Sequence, residues 1–160
     1  MNNLSVNEVV EFALNIERNG KEFYEKALTR KDLSPQAKEL LTKLRNEEIK
    51  HEAYFKTLGE RQDLNEYMDP DGFSQTSSYL NSIVKAHIFN KPGAAVKLAT
   101  EAKSMEEILK FAMQFEKDTL LYFHSLKEKT NNETAAKAVD AIIKEEIKHL
   151  EILGNYLDNL

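Results

Sequence analysis

Glu-Ile-Lys-His at residues 48–51 recurs as Glu-Ile-Lys-His at residues 146–149. Each copy follows a single glutamate in an apolar setting at nearly the same distance: Glu17 stands 31 residues before the first copy, and Glu116 stands 30 residues before the second. Residues i and i+3 of a helix share one face, so each copy presents a carboxylate and an imidazole to the same point. The repeat therefore predicts two similar helical halves.

Hydrophobic periodicity predicts four long helices, at about residues 5–30, 34–59, 104–129 and 132–158. Residues suited to helix starts or breaks stand at their ends: Ser5, Ser34, Ser104 and Asn131-Asn132. Short links join the first helix to the second and the third to the fourth, which predicts two antiparallel helix hairpins. The long crossover between them, residues 60–103, contains one short amphipathic helix around residues 80–88. We therefore expect one all-α domain over residues 1–160, a four-helix bundle.

Composition excludes several classes of protein and of site. A net charge of -5 without a basic cluster argues against a nucleic-acid partner. The absence of cysteine excludes disulfides and thiolate-held metals, so any metal must be bound through nitrogen and oxygen, which favours iron, manganese or zinc. No apolar run approaches the roughly 18 residues of a membrane span, and no secretion signal is visible at the N-terminus. A cytoplasmic location without membrane association is expected.

Charged side chains interrupt the apolar stripe of each long helix. Counted from the predicted helix starts, the four glutamates fall within about one turn of the middle of the bundle. Removing unpaired carboxylates from water costs several kcal/mol each, and two divalent cations would neutralise four of them. The sequence therefore predicts a two-metal site with these ligands: Glu17, Glu48, His51, Glu116, Glu146 and His149.

Other polar and aromatic residues near these positions are expected to be structural. Their expected settings are a solvated helix face for Glu47 and Glu145, partial burial for His87 and His124, and packing for Tyr122. Tyr24 has two interpretations of equal standing. It is either an ordinary core residue or a phenol that bonds a ligand oxygen from just outside the metal shell, where it could take part in catalysis.

The predicted ligand set resembles that of the ferritin-like di-iron carboxylate proteins, in which two helices give one Glu each and two give Glu-x-x-His. The residues from Gly20 to Tyr24 and from Glu116 to Tyr122 are similar to rubrerythrins in particular. The resemblance implies a ferritin-like fold, two iron ions, and reaction with hydrogen peroxide or dioxygen, often in a homodimer. It also implies that Glu48 and Glu146 bridge the two metals.

Two departures from rubrerythrins shape the functional hypotheses. Without cysteine there is no rubredoxin domain, so electrons must come from a separate electron-donor protein. Many rubrerythrins also carry a further glutamate three residues after the helix-three ligand, and here that position is Thr119. The leading hypothesis is an oxidoreductase that reduces peroxide or activates oxygen. The alternatives are an iron-binding or iron-sensing protein with little turnover, and a structural bundle without metal.

Overall fold

The structure, a computed structural model, describes residues 6–60, 79–128, 130 and 133–160. Its helices are α1 (Val6–Ala27), α2 (Pro35–Gly59), α3 (79–86), α4 (Ala94–Glu101), α5 (Met105–Glu128) and α6 (Glu133–Asp158). α1 packs along α2, α5 packs along α6, and α1 also contacts α5. The described residues contain no β-strand, and the expected all-α helical bundle is confirmed.

Serine side chains cap the N-termini of α2 and α5. The Ser34 hydroxyl accepts a hydrogen bond from the Ala37 backbone N–H at 3.1 Å, and Pro35 occupies the first helical turn, where its missing N–H costs nothing. At α5, Ser104 Oγ accepts from the Glu107 N–H at 3.2 Å. The proposed start at Ser5 and the break at Asn131-Asn132 lie outside the described residues.

The crossover differs from the prediction by a second short helix. Besides α3, residues Ala94–Glu101 form α4, which begins after Gly93 and buries only Ala95 and Ala99. Gly93 has φ of 75°, a left-handed conformation that glycine adopts at little cost. The Pro92-Gly93 pair therefore stands directly before the start of a helix, and α4 packs against α1.

An aromatic cluster connects α1, α5 and the segment that follows α3. Phe115 stacks on Phe89 with ring centroids 5.0 Å apart and meets Tyr24 edge-on at 6.4 Å. Phe23 completes the cluster 5.0 Å from Phe89. These rings are fully buried, so they form a rigid apolar wall beside the charged residues in the middle of the bundle. No described helix combines the length and the apolar character needed to cross a membrane.

Candidate metal centre

All six predicted ligand residues lie together in the middle of the bundle. The four glutamates have no solvent exposure, and the two histidines are 2–3% exposed. Their donor atoms form two groups, each within 4.8 Å: Glu17, Glu48, His51 and Glu146 in one, and Glu48, Glu116, Glu146 and His149 in the other. Glu48 and Glu146 belong to both groups, which is the arrangement expected of carboxylates that bridge two cations.

Each imidazole faces the carboxylates through the same ring nitrogen. His51 Nδ1 lies 3.2 Å from Glu17 Oε2 and 3.0 Å from Glu146 Oε1. His149 Nδ1 lies 2.9 Å from Glu146 Oε2 and 3.5 Å from Glu116 Oε1. The two rings are stacked with their centroids 6.2 Å apart. The two Glu-x-x-His pairs therefore converge from opposite helices on one small volume.

Several carboxylate oxygens in this volume are buried without a hydrogen-bond partner. They include both oxygens of Glu48 and one oxygen each of Glu17 and Glu116. A buried acceptor left unsatisfied costs about 1–3 kcal/mol, and more when it is charged, so proteins rarely keep one without a reason. Cations between these oxygens would satisfy them. The donor set of carboxylates and imidazoles suits iron, manganese or zinc.

The electrostatics of the carboxylates point to crowded negative charge. Burial, and then the charges of Glu146 and Glu17, raise the pKa of Glu48 well above its ordinary value. Burial and the neighbouring Glu146 raise the pKa of Glu116 to about 8. Both shifts arise because like charges in a dry interior cannot all ionise together.

The imidazoles supply the opposing charge. Burial acts to lower the pKa of His51, but its hydrogen bonds to Glu146 and Glu17 outweigh burial and raise it to about 12. The pKa of His149 rises in the same way to about 10, through Glu116 and Glu146. Burial acts to raise the pKa of Glu146, yet hydrogen bonds from both imidazoles hold it below its ordinary value. Metal binding must therefore displace protons from this cluster.

Tyr24 contacts one of the predicted metal ligands directly. Its hydroxyl donates a hydrogen bond of 2.6 Å to Glu116 Oε1, and the side chain is fully buried. Of the two interpretations open from the sequence, the structure favours the phenol that bonds a predicted ligand. Tyr122 is packed as expected, with its hydroxyl donating to the Val9 carbonyl at 2.6 Å.

Replacing Tyr24 with phenylalanine is expected to lower the free energy of unfolding of the metal-free protein by about 1 kcal/mol, because one buried hydrogen bond is lost. It should also weaken metal binding at least about ten-fold, since Glu116 loses the donor that orients it. Urea unfolding and Fe(II) titration under anaerobic conditions measure the two effects.

The matched control is Tyr122→Phe, which removes a hydrogen bond of the same length from the Val9 carbonyl. We expect it to reduce stability by a similar amount and to leave metal affinity unchanged. Equal losses of metal affinity in both variants would contradict the role assigned to Tyr24.

Two histidines that were expected to be partly buried differ from that prediction, in opposite directions. His87 is buried: its Nδ1 accepts from the Phe89 N–H at 3.2 Å, so the neutral ring donates from Nε2 to Thr119 Oγ1 at 3.2 Å. Burial lowers the pKa of His87 to about 4, which favours the neutral ring. His124 was expected to be partly buried, but it is exposed on α5.

Sequence reasoning missed one residue of the site. Glu145 was expected on a solvated face, yet its Oε2 accepts a hydrogen bond of 2.7 Å from His51 Nε2. Glu47, also expected on a solvated face, is only 20% exposed, and its carboxylate accepts instead from Lys50 Nζ at 2.8 Å. The signal available in the sequence was the extended repeat Glu-Glu-Ile-Lys-His, in which Glu47 and Glu145 are equivalent.

Two comparisons with known proteins found similarity over almost the whole chain. The model of a family described as ferritin-like domain matches residues 5–158. A solved structure from Thermotoga maritima, described there as a ferritin-like diiron-carboxylate protein, aligns with a TM-score of 0.70 at 21% sequence identity, covering 99% of this chain and 97% of that one. At this identity the likeness bears on the fold alone. No curated protein sequence matches the chain.

Proposed function

This chain belongs to the ferritin-like domain family, and on that premise we propose that it is a rubrerythrin-like di-iron oxidoreductase that reduces hydrogen peroxide or activates dioxygen. The observation that carries the proposal is the pair of buried ligand groups that share Glu48 and Glu146. Ferritin-like family membership and this buried cluster together fit a di-iron protein. Manganese or zinc would suit the same donors.

The roles of the six residues follow from their positions in the two groups. Glu48 and Glu146 would bridge the two metals, because each has oxygens within reach of both groups. Glu17 and Glu116 each belong to one group and would be terminal ligands. His51 and His149, facing the carboxylates through Nδ1, would each give one nitrogen to one metal.

Reduction of one peroxide to two waters consumes two electrons and two protons, and a bound pair of ferrous ions would supply one electron each. The chain's own residues control the surroundings. The Tyr24 hydroxyl holds a proton against Glu116 Oε1, and the buried ring of Phe115, edge-on to Tyr24, helps keep bulk water out. The separate electron-donor protein would then have to reduce the oxidised metal pair again. We propose a cytoplasmic homodimer as the working form.

The proposal is tested with protein loaded with two equivalents of Fe(II) under anaerobic conditions and mixed rapidly with hydrogen peroxide. We expect consumption of peroxide faster than by the same concentration of free ferrous iron. Glu146→Ala should lose this acceleration, whereas Glu151→Ala, an exposed position on the same helix, should keep it. Consumption no faster than that by free iron would overturn the enzymatic proposal.

A second function, iron binding or sensing with little turnover, is favoured by one observation. At Thr119 the chain lacks the further carboxylate of many rubrerythrins, and this buried hydroxyl is instead paired with His87 at 3.2 Å. A fixed hydrogen bond at that position gives a metal no additional ligand to move toward. Tight binding of two iron ions without accelerated peroxide consumption would support this second function.

A further inference from the structure

Glu145 reaches from α6 to a histidine of the opposite hairpin. Its Oε2 accepts a hydrogen bond of 2.7 Å from His51 Nε2, while the other ring nitrogen, Nδ1, faces Glu17 and Glu146. The Glu145 side chain is 45% exposed, so it is a surface carboxylate that is hydrogen-bonded to a buried imidazole.

This contact determines which form of the ring is available to a metal. A histidine that binds metal through Nδ1 must carry its remaining proton on Nε2. A carboxylate that accepts from Nε2–H stabilises this tautomer, fixes the plane of the ring and makes Nδ1 a stronger donor. Glu145 supplies that acceptor to His51.

The second half of the chain is equivalent in sequence but not in contacts. Glu47 precedes Glu48 as Glu145 precedes Glu146, yet Glu47 Oε1 accepts from Lys50 Nζ at 2.8 Å, and no hydrogen bond joins it to His149 among the described residues. His149 instead lines, together with Glu47 and Glu145, a cavity of about 320 Å³ between α2 and α6. One imidazole is therefore backed by a carboxylate, and the other borders an open cavity.

We propose that Glu145 is a positioning residue for His51 and makes the metal position at His51 tighter than the position at His149. The repeated motif thus forms two unequal metal positions, and a single surface carboxylate creates the difference. This inference rests on the metal binding in the proposed function but is independent of any turnover.

The test compares Glu145→Gln with Glu47→Gln. Both variants keep the shape of the side chain and remove one negative charge from residues within 4.8 Å of a His51 nitrogen, but only Glu145 is hydrogen-bonded to the ring. Anaerobic calorimetric titration with Fe(II) should show two binding steps in the wild-type chain. We expect Glu145→Gln to weaken the tighter step by about 10–100-fold and Glu47→Gln to change neither step.

A second readout is independent of iron. In the Zn(II)-loaded protein labelled with ¹⁵N, the Nε2–H of His51 should exchange slowly with water, and in Glu145→Gln it should exchange faster. Urea unfolding of the metal-free variants checks that each is folded before its exchange rate and metal affinity are compared with those of the wild type. If Glu145→Gln leaves Fe(II) affinity and Nε2–H exchange unchanged, or if Glu47→Gln loses as much Fe(II) affinity, this inference is wrong and the proposed function still stands. A wild-type chain that binds fewer than two ions overturns the proposed function as well.

Discussion

Leucine in place of Glu48 is expected to raise the free energy of unfolding of the metal-free protein by about 1–4 kcal/mol and to abolish binding of the metal pair. Glu48 is fully buried, and neither of its oxygens has a hydrogen-bond partner. Leucine has a similar size and carries no charge to desolvate. The same substitution removes a carboxylate that belongs to both ligand groups, so both metals lose a ligand.

Chemical unfolding with and without Fe(II) separates the two effects. At metal concentrations about 1,000 times the dissociation constant, the wild type should gain roughly 4 kcal/mol, and the Glu48→Leu variant should gain nothing. Glu47→Leu is the neighbouring control and should keep the gain, because Glu47 pairs with Lys50 and belongs to neither of the two ligand groups. A Glu48→Leu protein that is less stable without metal but still stabilised by iron would contradict the metal centre.

Alanine in place of Gly20 is expected to lower the free energy of unfolding by about 1–3 kcal/mol, although alanine normally favours a helix over glycine. An added Cβ would lie 2.5 and 2.7 Å from the ring of Phe115 and 3.3 Å from Glu48 Cδ. Phe115 has little room to retreat, because His87 and Phe89 hold its ring at 5.6 and 5.0 Å. The overlap therefore strains the aromatic wall and displaces a predicted ligand.

The matched control is Gly154→Ala on α6, where a Cβ would meet nothing within 4 Å. That variant should be more stable by up to about 1 kcal/mol, through helix propensity alone. Thermal unfolding resolves the difference, at roughly 2–4 °C for each kcal/mol in a chain of this size. Adding Phe115→Leu to the Gly20→Ala variant replaces the ring with a smaller side chain. The double variant should therefore recover part of the stability that Gly20→Ala loses. Equal effects of alanine at both glycines would show that the close approach at Gly20 is unimportant.

The bundle and the gathering of its charged residues could be predicted from periodicity. Glu48, His51, Glu146 and His149 occupy positions where an apolar stripe should continue, so their burial followed once the helices were placed. Repetition at nearly equal spacing, 31 and 30 residues, then aligned the two halves. Whether these residues are the metal ligands is still a prediction for titration to decide.

Other features could not be read from the sequence, for physical reasons. α4 buries only Ala95 and Ala99, and two methyl groups give too weak a hydrophobic period to mark a helix. The contact of Glu145 with His51 joins residues 94 positions apart on different helices. Glu47 has the same neighbours in sequence and a different partner, so only the placement of the helices distinguishes the two.

His51 of α2 is contacted by two adjacent residues of α6, Glu145 and Glu146. His51 and its two partners on α6 thus also connect the first hairpin to the second. Stiffness and metal content should consequently rise together, so that amide hydrogen exchange at the midpoints of α2 and α6 slows as ions enter. A measurement of backbone motion alone could then report how much metal the protein has bound.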